Sequence, residues 1–100
     1  MAYQNNFASR IISSENISST GTSAQSNRAP FGCKVVRIAT SANVNIAISG
    51  NPTATAASTL VAAGDAAYFV IKGDSSGSAT DGEKVASIGT ATVNVTFLEG

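Results

Sequence analysis

The chain has no histidine, no tryptophan, one cysteine and two prolines among its 100 residues. Without histidine it lacks the commonest general base and a preferred zinc ligand. A single cysteine, Cys33, excludes an intrachain disulfide and a thiolate-rich metal centre. Charge is scarce as well: six Lys and Arg balance six Asp and Glu, for a net charge of zero. Nucleic-acid binders gather their cations into a stripe that displaces counterions. Here Arg10, Arg28, Lys34, Arg37, Lys72 and Lys84 are scattered, so no nucleic-acid partner is expected. No window reaches the ~20 apolar residues of a membrane-spanning helix. Polar Gln4, Asn5 and Asn6 stand where a secretory signal needs an apolar run. The expectation is a protein made in a cytoplasm, without a membrane partner.

What is abundant is small. Ala, Ser, Thr and Gly make up half of the chain. One hundred residues is the length of one domain, and a domain of that size buries only about 60–65% of the surface its unfolded chain exposes. With alanine supplying much of the apolar count, the core is expected to be thin. Other copies or a larger partner are expected to complete it. A neutral surface also protects a free monomer poorly against association.

Residues 1–15 read as a polar N-terminal arm, and 16–100 as a single β-sandwich domain. Within the first part, 1–12 suggests an arm with one short strand, and 16–26 an edge strand. From Cys33 the strand signal is dense. Cys33–Thr40 is rich in β-branched residues, and Val44, Ile46 and Ile48 alternate with polar or small neighbours. The link Thr40–Asn43 is short enough for a hairpin. Thr59–Ala62 reads as a short strand, and the Thr53–Ala57 run allows at most a helical turn. Ala67–Lys72 carries large groups on both faces, with Tyr68 and Val70 on one and Phe69 and Ile71 on the other. Such a strand is either central in a sandwich or covered by another subunit. Lys84–Ile88 and Thr92–Leu98 follow, with Val93, Val95 and Phe97 facing in. The predicted fold is all-β, sandwich- or jelly-roll-like, with about 7–8 short antiparallel strands.

Chemistry is hard to assemble from these residues. Serines are plentiful, but a Ser–Lys pair with Lys34, Lys72 or Lys84 has no motif around it. Asp74, Asp81 and Glu83 lie in a Ser- and Gly-rich stretch that invites a calcium reading. Their spacing departs from the EF-hand template and suits a solvated turn instead. Gly77–Lys84 places Glu83 where a phosphate loop needs lysine, and a carboxylate there repels phosphate. Glu15 and Glu99 lie near opposite ends of the chain, with nothing to pair them across a cleft. Cys33 suits a small buried hydrophobe. No catalytic residue, metal ligand or cofactor is expected. The candidate site is an interface: Tyr68 and Val70 on one strand face, together with Phe7 and Phe31.

The runs Val36–Thr40, Val44–Ile48, Gly50–Thr55, Tyr68–Val70, Lys84–Ile88 and Gly89–Thr96, with Ser23–Ser26 upstream, form a pattern of strands and turns. That pattern resembles small β-sandwich virion proteins of tailed bacteriophages, over about residues 18–98. The stretch Asp74–Glu83 departs from it, being longer than the usual short turn. The resemblance implies a non-enzymatic structural protein on the capsid surface of a virion. It would decorate or cement the head, with the major capsid protein or another virion protein as partner. A homo-oligomer, with three copies favoured, is also implied. The rival expectation is a tail or fibre accessory module that recognises a host glycan or an adaptor protein.

Overall fold

A computed structural model describes residues 10–77 and 80–100. The strands are β1 (Ile11–Ser19), β2 (Ala24–Gln25), β3 (Val35–Thr40), β4 (Val44–Ser49), β5 (Thr59–Val61), β6 (Ala66–Val70), β7 (Lys84–Ile88) and β8 (Ala91–Leu98). They form two four-stranded antiparallel sheets. The first has the order β1-β8-β3-β6 and the second the order β2-β7-β4-β5. The described residues form no helix, and the Thr53–Ala57 run contributes a single turn closed by Ser58 N–H on the Thr55 carbonyl at 2.9 Å. The all-β sandwich expected from the alternating pattern is the fold.

Period-two alternation sorts the side chains. Ile17, Val36, Ile38, Val93, Val95 and Phe97 point inward from the first sheet. Val44, Ile46, Val61 and Val85 meet them from the second, and Ile71, Cys33 and Ala29 join the same cluster. At one end the sheets are also joined by a polar contact: Ser87 Oγ and the buried Ser19 Oγ are 2.9 Å apart. Each hydroxyl answers the other, so neither is left unpaired in the interior.

Two expectations need correction, and one pair of alternatives narrows. Thr40–Asn43 does not close a hairpin, because β3 lies in the first sheet and β4 in the second. The link is an arch between layers, stiffened by the Thr40 hydroxyl donating to the Ala42 carbonyl at 2.6 Å. The β7–β8 link crosses layers in the same way, and there Gly89 takes a φ of 119°, which a side chain rarely adopts. Among the described residues, β4 and β5 are the only consecutive strands that share a sheet.

The boundary near residue 15 also moves. Residues 11–15, placed in the arm by their polarity, form the first half of β1 along β8, and the 16–26 strand divides between β1 and β2. A bulge at Ile12, where the register shifts between Ile11 and Ser13, breaks the alternation that would have marked the strand. Of the two positions left open for the strand with two apolar faces, the central one falls away: among the described strands β6 is an edge.

The long stretch between β6 and β7 folds back on the turn that precedes β3. Gly73 N–H reaches the Cys33 carbonyl at 3.2 Å, and Asp74 N–H reaches that of Ala29 at 3.1 Å. The approach is so close that a Cβ on Gly73 would collide with the Pro30 carbonyl. Glycine at 73 is therefore a packing requirement.

Candidate functional site

The outward face of the first sheet is built from cross-strand rows. One row runs Ile11, Leu98, Val35 and Val70 across β1, β8, β3 and β6. The next runs Ser14, Thr96, Arg37 and Tyr68, and a third Asn16, Asn94, Ala39 and Ala66. The face is thus divided. On the β1–β8 half, Asn94 Nδ2 donates to Asn16 Oδ1 at 3.0 Å and Thr96 Oγ1 donates to Asn94 Oδ1 at 2.9 Å. Polar groups there answer one another. On the β3–β6 half, Val35, Ala39, Ala66, Tyr68 and Val70 surround a single charge, Arg37.

Tyr68 is 60% exposed and Val70 85%. On the opposite face of the same strand Phe69 is half-buried against the core, and Ile71, just beyond the strand, is buried in it. The two-faced reading of this strand therefore has a geometric basis: one large pair fills the interior and the other stands on the surface. Tyr68 and Val70 sit at i and i+2, so they are brought together. Phe31 is also 60% exposed, but it belongs to the turn before β3. That turn borders β1, with Ile12 Cδ1 4.0 Å from where a Cβ on Gly32 would stand. Phe31 is thus on a separate element from Tyr68 and Val70. Phe7 lies outside the described residues.

The sequence reading missed the rest of the first row. Ile11 is 64% exposed, while Leu98 is buried between its row neighbours. Leu98 could have been found: it continues the outward series Thr92, Asn94, Thr96, where a leucine is out of place unless something covers it. Ile11 could not, because the bulge beside it hides which face it takes.

The other candidate groups have local tasks. Asp74 Oδ1 accepts from Gly82 N–H at 2.6 Å, Asp81 Oδ1 from Ser75 N–H at 3.0 Å, and Glu83 Oε1 from Lys72 N–H at 2.8 Å. Each carboxylate is committed to the backbone of its own loop. The Ser75 N–H bond holds the Asp81 carboxyl below its ordinary range. Among the described residues no three acidic, cysteine or histidine side chains gather as a metal site. Lys84 Nζ donates to Gln25 Oε1 at 3.2 Å. Glu15 accepts from Asn27 N–H at 3.1 Å, and Glu99 meets Arg10 at 3.8 Å, so the two acids serve different partners. Burial pushes the Cys33 thiol up, against smaller opposing pulls from the backbone at Leu98 and Val35. Such a thiol stays protonated and unreactive. No helix among the described residues is long and apolar enough to cross a membrane. Comparison with protein-family models, with curated proteins and with solved structures finds no match.

Proposed function

We propose that this chain is a non-enzymatic structural protein of a tailed-bacteriophage virion. It decorates or cements the capsid through contacts with its own copies and with the major capsid protein or another virion protein. The observation that carries the reading is the β3–β6 half of the outward face, where Tyr68 and Val70 are exposed on a strand without charge. Large apolar groups gathered on one face mark an interaction surface more often than scattered ones do. Tyrosine suits such a surface, with an apolar ring and a polar tip. The strand-and-turn pattern that resembles small virion sandwiches adds a class of partner. The commitment of the loop carboxylates to backbone N–H groups leaves recognition by a surface as the reading best supported.

The test uses phage heads that lack the chain, mixed with purified protein and imaged by electron cryomicroscopy. Density on the capsid surface is expected, and it should be lost with Tyr68→Asp while circular dichroism reports an unchanged β-fold. Density confined to the tail or its fibres would favour the host-recognition module instead. Normal decoration by both Tyr68→Asp and Phe69→Asp would remove the assigned face.

A further inference from the structure

Among the described residues the sandwich has four edge strands, and three of them are blunted. β2 has two residues and β5 three, too short to template a partner. β1 is long, but it carries the bulge at Ile12, the Glu15 carboxylate and the Arg10–Glu99 ion pair at its start. Within its own span β6 has none of these devices; the nearest is Glu83, which exchanges bonds with the Lys72 backbone just past the strand. Its five residues, Ala-Ala-Tyr-Phe-Val, contain no charge and no proline, and its pairing with β3 is regular throughout.

The open edge also has its donors and acceptors set out. Just past β6, Ile71 N–H donates to the Lys34 carbonyl on the β3 side at 3.1 Å. Successive residues of a strand aim their backbone groups to alternate sides. Those of Ala67 and Phe69 therefore face β3, and those of Ala66, Tyr68 and Val70 face outward. The nearest exposed charges on the two flanks are opposite, Asp65 before the strand and Lys72 after it, the latter with the Glu83 carboxylate on its own backbone N–H. A parallel copy would set acid beside acid and base beside base. An antiparallel copy sets each acid near the other's base.

We infer that β6 is a self-pairing edge, on which a second copy of this chain docks its own β6 antiparallel, with Tyr68 facing Tyr68 across a two-fold axis. In that register Ala66 lies opposite Val70 of the second copy, so all three outward-facing residues bond. A shift by two residues would leave an outward group at each end unpaired. Outward side chains stay on one side, and the two four-stranded sheets become one continuous sheet. An isologous contact closes at two copies. The inference rests on the proposed homo-oligomeric assembly and replaces the three copies favoured from the sequence.

The test is light scattering of the full chain over a dilution series, with variants at the edge and its flanks. The unmodified protein should reach twice the chain mass. Tyr68→Lys, which sets two ammonium groups face to face, should stay at the monomer mass with an unchanged circular dichroism spectrum. Leu60→Lys, on the neighbouring β5, should still dimerise. Asp65→Lys or Lys72→Asp alone should weaken the dimer on the order of tenfold, and the two together should restore it. A trimer, or a double variant weaker than either single one, overturns the two-fold edge while leaving homo-oligomeric assembly in place. A monomer at every concentration overturns self-pairing, and head binding by that monomer would keep the capsid reading. A dimer that ignores phage heads would do the reverse.

Discussion

The two flanks of the sandwich are finished differently. On the flank of β1 and β2, the Ile12 bulge interrupts the ladder, Glu15 bonds the backbone of Asn27, Arg10 meets Glu99, and Ser19 binds Ser87 inside. On the flank of β6, the strand ends its sheet with a regular ladder, no charge, and Tyr68 and Val70 exposed. The chain thus has the means to blunt an edge, and within the span of β6 it uses none of them. Polar satisfaction costs the first flank its stickiness. Among the described residues the second has no strand on its outer side and keeps apolar side chains exposed, a combination that free monomers tend to avoid.

The largest break in this comparison comes from what both flanks share. Phe97 is buried on β8, which lies between β1 and β3. Phe97→Ala should cost about 3–5 kcal/mol, enough to unfold an isolated copy, as thermal melting followed by circular dichroism would read. A variant that melts like the parent would mean that Phe97 does not anchor the sheet.

Damage confined to the closed flank should be smaller. Ser87→Ala leaves the Ser19 hydroxyl buried without its partner and should cost about 1–3 kcal/mol. Urea unfolding should show a lower midpoint with an unchanged slope. On the open flank the same kind of measurement should register almost nothing. Tyr68→Ser removes an exposed side chain and should shift monomer stability by no more than about 0.5 kcal/mol. A large loss there would make Tyr68 part of the core and erase the contrast.

The smallest effect concerns the loop after β6. The Asp81 carboxyl is held low by its bond from Ser75, so the bond's contribution is complete above the ordinary carboxyl value of 3.8. It is lost as the pH falls below that value and through the depressed one. Acid titration followed by NMR should move the Ser75 amide in that range while the core strands keep their signals.

Much of the fold was legible because period-two alternation survives in one dimension. Val44, Ile46 and Ile48 face inward as their spacing says, and so do Val93, Val95 and Phe97. The faces of β6 were legible for the same reason. The layer changes were not, because a three-residue link suits a hairpin and an arch equally, and the Thr40 hydroxyl bond that stiffens the arch leaves no periodic trace. β1 was blurred by its Ser and Asn content and by the bulge. The row of Ile11, Leu98, Val35 and Val70 joins four strands distant in the chain, so it appears only once the register is known. That β6 is an edge is likewise a property of strand order, to which its own composition is blind.

The central claim is that the open flank is the contact edge, and hydrogen exchange at two protein concentrations tests it most directly. Ala67, Phe69 and Ile71, whose N–H groups face β3, should be protected at any concentration. Ala66, Tyr68 and Val70 should exchange freely when dilute and slow together as the concentration rises, while β1 stays unchanged. Slowing along β1 instead, or no change at Tyr68 and Val70 where the protein is associated, would contradict the account.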